Sequence, residues 1–298
     1  MDSILAARYY RKNIDTAYIT RPQQRLTLKA RVNLSGAGMD VYGTTDKGSM
    51  TTNLKTDFRT TLSIAAVYRG IGVGLALNPL KWSGRSMDYE INLNSYGNRF
   101  GGEIVYLSSK TFHGDMTSDT GIQQIGKGFV AQDALNLNLY YAFNYRKFSF
   151  PAAFTQSYIQ RRSAGSWMLG LSSELSRVKL TAGEEFGITD GNVRMAEVGI
   201  GGGYGYNLVA GRWLFHISSV PTLIFYIHDR MVVNGNRLRM RYSLTNAIIT
   251  GRGSVVYSHG NRFYGASCVF NFSSVGDENY LQIRRTKWRV RMFAGFRL

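Results

Sequence analysis

The sequence is poor in cysteine, proline and acidic residues. Cys268 is the single cysteine of 298 residues, which excludes an internal disulfide and a cysteine-based metal cluster. Four prolines stand against 33 glycines, 19 tyrosines and 16 phenylalanines. Because aromatic residues favour pleated strands and glycine favours tight turns, this composition indicates many strands joined by turns.

Long hydrophobic runs are missing as well. No stretch of 18 apolar residues occurs, which excludes membrane-spanning helices. A transmembrane β-barrel remains possible, because every second residue of its strands faces the lumen and lowers the mean hydropathy, here -0.18. The first ten residues do not resemble a secretory leader. We therefore expect a mature form that begins near Asp2, with a signal peptide already removed.

Apolar and polar residues alternate with a period of two, which is typical of strands with one apolar face. Between 134 and 145, one side carries Leu135, Leu137, Leu139 and Tyr141, and the other carries Asn136, Asn138, Tyr140 and Ala142. The same alternation recurs at 165–176 and 193–206. In the latter segment Gly199, Gly201, Gly203 and Gly205 lie on the side opposite the apolar residues, where they would make room in a lumen.

Turn signals divide the chain into about 14 strands, with 12 or 16 as alternatives. Short and long connections alternate, which is typical of an up-and-down antiparallel β-barrel in the outer membrane. We expect an N-terminal periplasmic cap or plug at 1–24, including a short helix, and a barrel at 25–298. The predicted strands lie near 25–34, 57–68, 71–78, 87–96, 99–109, 132–145, 148–158, 165–176, 178–187, 193–206, 212–226, 238–258, 262–273 and 281–298.

Positive charge predominates, with 36 Lys and Arg against 19 Asp and Glu. The alternation places most of the strand cations on the polar side, and pairing of the first and last strands would bring two basic faces together. The predicted basic cluster of the lumen comprises Arg25, Lys29, Arg31, Arg239, Arg241, Lys287, Arg289 and Arg291. The predicted acidic partners in the lumen are Asp88, Glu90, Glu103 and Glu174.

Two interpretations of this lumen stay open. Its charges can satisfy one another and fill the interior, or the excess of cations can form a narrow pore that favours anions. A nucleic-acid-binding protein would instead collect its basic residues on one exposed patch, so we expect no nucleic acid partner.

Catalytic and metal-binding patterns are weak. His216 and Ser218 lie two residues apart on one face of a predicted strand, as in a barrel enzyme that uses His to activate Ser. The sequence places no third orienting residue near them, so we interpret the pair as polar packing in the lumen and expect no enzyme. The four histidines show no tight metal-ligand spacing, and we expect no metal and no cofactor.

The segments Tyr68–Gly74 and Tyr96–Gly102 resemble a Bacteroidota family of uncharacterised outer-membrane barrel proteins, a domain of unknown function. The segments Asp15–Ile19, Asn261–Tyr264 and Phe296–Leu298 are compatible with that family, so the resemblance spans nearly the whole chain. It implies an all-β fold and an outer-membrane location, and it supplies no catalytic residue and no substrate.

We therefore expect a non-enzymatic barrel that acts as a scaffold or subunit of an envelope complex. The narrow pore and a barrel enzyme that modifies lipid or lipopolysaccharide are the alternatives. Expected partners are outer-membrane lipid, lipopolysaccharide and other envelope proteins.

Overall fold

The computed structural model is nearly all β, with a single short helix in the part of the chain that it describes. The described residues are 13–45, 48–68, 71–77, 88–119, 121–181, 190–238, 241–242, 246–277 and 279–298. The elements are β1 Ile19–Thr20, β2 Leu26–Thr45, β3 Gly48–Lys55, β4 Arg59–Tyr68, β5 Ile71–Leu77, β6 Tyr89–Tyr96, β7 Phe100–Ser109, β8 His113–Ser118, β9 Gly121–Ile125, β10 Val130–Ala142, α1 Phe150–Phe154, β11 Ile159–Gln160, β12 Ala164–Leu180, β13 Gly191–Ala210, β14 Trp213–Val233, β15 Asn236–Leu238, β16 Ala247–His259, β17 Arg262–Asp277 and β18 Leu281–Arg297. Within these residues, no helix has the length and apolar character that crossing a membrane requires.

The strands form an up-and-down antiparallel barrel. Successive wall strands pair from β2 to β5 and from β6 to β18, and β18 pairs with β2 from Leu281↔Gly43 to Arg297↔Thr27. The residues between β5 and β6 lie outside the described part. Side chains of β18 contact side chains of β7 and β12 across the interior, which shows that the sheet curls around a lumen.

The wall described here contains twelve strands: β2, β4, β5, β6, β7, β10, β12, β13, β14, β16, β17 and β18. Two of the predicted strand boundaries differ from the described elements. The segment 148–158 is not a strand but contains α1, in which Pro151 occupies the first turn and the Ser149 hydroxyl accepts a hydrogen bond from the Ala152 N–H. The second is the predicted turn at Arg177, which is wrong because β12 continues to Leu180, while most of the predicted strand 178–187 lies outside the described residues.

The barrel has a short-turn end and a long-loop end. Gly211–Arg212 and Gly260–Asn261 are two-residue turns at the short-turn end, where the Leu26 N–H also donates to the Leu298 carbonyl. At the long-loop end β2 extends past the wall and pairs with β3, which pairs with β8, and β8 pairs with β9. A small sheet therefore projects from the long-loop end.

The predicted alternation is confirmed in the wall strands. In β14, exposed and buried residues alternate from Trp213 to Leu223 without interruption. The outer face is apolar, with Ile217 71% and Trp167 69% exposed. Soluble proteins rarely leave such a continuous apolar surface uncovered, so this face requires a hydrocarbon environment.

The lumen is filled in three layers. An apolar layer closes the long-loop end, and its buried side chains include Leu107, Phe112, Met195, Met231 and Val275. Charged residues occupy the middle layer. Aromatic residues around α1 close the short-turn end, including Tyr140, Phe148, Phe150, Phe154 and Phe263.

Candidate functional site in the barrel lumen

The connection between β10 and β12 enters the lumen and forms a plug, defined here as residues 148–160. Phe148 and Phe150 are fully buried. Phe148, like the fully buried Phe263, therefore lies inside the barrel and not on its outer face. Gly205 makes room for the plug, because a Cβ there would lie 3.0 Å from the Phe148 ring and 3.1 Å from the Ser218 Cβ.

Two of the hydrogen bonds that tether the plug to the wall come from cations. The Lys29 ammonium donates to the Thr155 carbonyl, and the Arg297 guanidinium donates to the Gln156 carbonyl at 3.3 Å. Gln156 has a φ of 55°, a left-handed conformation that is uncommon for residues other than glycine. Two cations of the first and last wall strands therefore hold the part of the plug that directly follows α1.

The described part of the predicted N-terminal cap, 13–24, lies against the end of the plug. Ile19 and Thr20 pair with Gln160 and Ile159 to form the ladder β1–β11. The Arg21 guanidinium donates to the Tyr158 hydroxyl, and burial raises the pKa of this phenol above its ordinary value. The division at residue 24 stays a prediction.

The middle layer contains five cations and five carboxylates that form a network. Arg285 contacts Glu174 at 3.0 Å and also Glu197, and Lys287 contacts Glu174 at 3.3 Å. The second half of the network joins Arg59, Arg252 and Arg289 to Asp88, Glu90 and Glu103. The cavities lined by this layer measure about 10 and 30 Å³, which is room for about one or two water molecules.

The sequence-predicted lumen residues fall into three groups. All four predicted carboxylates lie in the network, together with Lys287 and Arg289. Lys29 holds the plug, and Arg291 donates to the Asn33 side chain at 2.7 Å, while Arg31 lies half-buried on the same strand as Lys29. Arg25 is exposed and precedes β2, which begins at Leu26, and Arg239 lies outside the described residues.

Arg241 corrects the predicted cluster. It is exposed, and its guanidinium lies 4.1 Å from the centre of the Tyr280 ring in a loop of the long-loop end. The alternation failed here because β16 begins only at Ala247, so the register of the predicted strand 238–258 does not apply to residue 241.

Four members of the network were not among the predicted site residues: Arg59, Glu197, Arg252 and Arg285. Arg285 lies four residues before Arg289 in β18, and Glu197 lies on the polar side of β13, so extending the alternation finds both. The alternation cannot say which carboxylate lies opposite which cation, because that depends on how the wall curls.

His216, Ser218 and Asn207 form a hydrogen-bonded relay beside the plug. His216 Nε2 lies 2.9 Å from Ser218 Oγ, and His216 Nδ1 lies 2.7 Å from Asn207 Oδ1. All three side chains are buried, with exposed fractions of 4%, 4% and 0%. The interpretation of His216 and Ser218 as a pair without an orienting residue is thus corrected: the third residue comes from the neighbouring strand, where Asn207 is the register partner of His216.

The direction of each hydrogen bond in the relay is fixed by the plug. Gln160 Nε2 donates to the Lys147 and Arg162 carbonyls, so Gln160 Oε1 is an acceptor. Asn207 Nδ2 donates to that oxygen at 3.0 Å and to the Ser149 carbonyl at 2.9 Å. Asn207 Oδ1 must therefore accept from His216 Nδ1, which leaves Nε2 as the acceptor for the Ser218 hydroxyl.

A metal site has less support from the structure than the hydrogen-bonded relay. The described residues contain no group of three or more His, Cys, Asp or Glu side chains placed to hold a metal ion.

The fold is thus that of a barrel with an apolar outer face and a filled interior. The chain belongs to the family described as a domain of unknown function, DUF4421, whose profile matches residues 13–298. No curated protein matches the sequence.

Solved structures of outer-membrane proteins are similar over most of the chain. OmpT of Vibrio cholerae has 9% identity and a TM-score of 0.32, covering 95% of this chain and 100% of its own. The translocator domain of the autotransporter NalP from Neisseria meningitidis has 7% identity and a TM-score of 0.29, covering 99% and 93%. The toluene transporter TodX of P. putida has 7% identity and a TM-score of 0.26, covering 93% and 91%.

Proposed function

We propose that the protein is an integral outer-membrane β-barrel that, with its plug in place, acts as a closed scaffold or subunit of an envelope complex. The observation that carries this proposal is the lumen filled in three layers. An open pore requires a continuous aqueous path, whereas the described lumen contains ion pairs and packed aromatic rings.

The apolar outer face supports the membrane location. Barrels with such a face occur in the outer membrane, with their short turns in the periplasm. By this rule the plug and the β1–β11 ladder face the periplasm, and the sheet of β3, β8 and β9 projects outside. Lipid and lipopolysaccharide are then the surroundings of the wall, as expected for a Gram-negative bacterium of the Bacteroidota.

The alternative of an anion-favouring pore is less well supported. Its cations would have to be available to passing anions, but Arg285, Lys287 and Arg289 are paired with carboxylates. A lipid-modifying enzyme would need room for substrate at Ser218, and in the plugged state the Phe148 ring and Met168 pack there instead.

Two measurements test the proposal. We expect the purified protein to show no conductance steps in planar bilayers and to co-purify reproducibly with another envelope protein after mild extraction from its native membrane. Conductance with an anion-selective reversal potential would overturn the closed state in favour of the pore. A monomer without conductance and without a partner would overturn the scaffold.

A further inference from the structure

The relay beside the plug has the parts of an acyl-transfer site, and this goes beyond the scaffold function. Nucleophilic catalysis by serine requires a base within hydrogen-bonding distance of the hydroxyl and a group that orients the base. Ser218, His216 and Asn207 meet both requirements at 2.9 and 2.7 Å, with His216 in the tautomer that can accept the serine proton.

A fourth residue supplies positive charge next to the nucleophile. Arg252 of β16 is the register partner of Ser218, so the two inward-facing side chains are direct neighbours on the wall. Arg252 is buried, and its Nε has no hydrogen-bond partner among the described residues. A buried donor without a partner is costly, and it can be satisfied by a negatively charged oxygen that forms during a reaction at Ser218.

A side chain of the plug occupies the space between these groups. The centre of the Phe150 ring lies 4.9 Å from that of the His216 ring and 5.8 Å from the Arg252 guanidinium carbon. Phe154 is also close to His216, with ring centres 5.1 Å apart. These rings exclude substrate, and their apolar surface has the chemistry of a hydrocarbon chain.

We propose that Ser218, His216, Asn207 and Arg252 form an esterase site for acyl esters, which the plug holds closed and which opens toward the short-turn end when the plug withdraws. In the reaction, Ser218 Oγ bonds to the acyl carbon and its proton passes to His216 Nε2. Arg252 stabilises the oxyanion. The bond from the acyl carbon to the alcohol oxygen breaks, and the alcohol leaves with the proton. Water then adds to the acyl-serine, His216 takes its proton, and that proton returns to Ser218 Oγ as the carboxylic acid is released.

Asn207 is a positioning residue, since it touches the base rather than the substrate. It also anchors the plug through Ser149, so a loss of activity in Asn207→Ala has two explanations. Asn207→Asp separates them, because it retains an oxygen for His216 Nδ1 and loses the donor to Ser149 and Gln160. If Asn207 positions the base, Ser218 should react with an acyl ester faster in Asn207→Asp than in the wild type. If Asn207 only supports the structure, Ser218 should not react in Asn207→Asp or in Asn207→Ala.

The test uses the full chain in detergent, a fluorophosphonate that labels activated serines, and a p-nitrophenyl acyl ester. Phe150→Ala makes room in the site, and Lys29→Met removes one tether of the plug without touching the relay. We expect either variant to be labelled at Ser218 at least about tenfold faster than the wild type and to hydrolyse the ester. Adding Ser218→Ala to either variant should abolish both signals, and adding Arg252→Met should lower the rate about 100-fold.

Folding is checked by the heat-dependent shift of the barrel in gel electrophoresis, and Lys29→Met replaces Phe150→Ala if the latter does not fold. Folded variants that remain unlabelled, or labelling that persists after Ser218→Ala, would overturn the esterase. The outcome is independent of conductance and co-purification, so failure here leaves the scaffold proposal intact.

Discussion

Arg285 joins two carboxylates of the middle layer of the lumen. It contacts both Glu174 and Glu197, and both carboxylates are buried. Removing one partner of a buried ion pair costs about 3–5 kcal/mol because a buried charge is left without compensation. We therefore expect Arg285→Met to lower the free energy of unfolding by about this amount in a denaturant titration of the detergent-solubilised barrel.

Two controls belong to this residue-scale prediction. Lys127→Met breaks the exposed pair with Asp57, which lies at 2.6 Å, and should cost only about 0–1 kcal/mol. Combining Arg285→Met with Glu197→Gln removes both charges of that pair and leaves Glu174 with Lys287, so the double variant should regain part of the loss. A double variant less stable than Arg285→Met would contradict the assignment of the cost to uncompensated charge.

At the scale of the element, the plug depends on space that a glycine leaves in the wall. Gly205→Val would place methyl groups against Phe148, since even a Cβ lies within 3.2 Å of three side chains there. Overpacking of this kind costs about 1–3 kcal/mol and should loosen the plug. In a Cys268→Ser background, Ala152→Cys in α1 should react with a maleimide faster after Gly205→Val is added.

Gly202→Val is the matched control for the plug. It lies on the exposed side of the same strand, where a Cβ would meet one backbone oxygen at 3.7 Å. Its rate of maleimide labelling should equal that of the background. Equal rates for Gly205→Val and Gly202→Val would show that the glycine does not determine how firmly the plug is seated.

Sequence periodicity predicts the elements better than it predicts the site. Alternation gives the face of each residue, and it placed Glu174 and Lys287 in the lumen where the structure brings them together. It failed at 148–158, where an apolar segment contains a helix instead of a strand. Asn207 could not be found this way, because its distance from His216 depends on the register between β13 and β14.

At the scale of the whole molecule, the apolar outer face should determine whether the barrel inserts into a bilayer. Ile217 is 71% exposed on this face. A lipid-facing arginine near the midplane costs about 2–4 kcal/mol. Ile217→Arg should therefore make the free energy of folding into lipid vesicles less favourable by about this amount, which is measured as a smaller folded fraction. Ile217→Leu keeps the apolar surface and should fold like the wild type. Equal folding of the two variants would show that this part of the wall does not contact hydrocarbon.

The pairing of β18 with β2 also sets the order of assembly. These strands lie at opposite ends of the described chain, and Gly36 brings them close, since a Cβ there would lie 3.0 Å from the Trp288 ring. Contacts so distant in sequence form slowly. Until β18 arrives, Arg285 and Lys287 are missing, and Glu174 and Glu197, which are register partners on β12 and β13, lack these cations. The nascent sheet therefore repels itself until its final strand docks, which keeps it open while the chain is still being delivered.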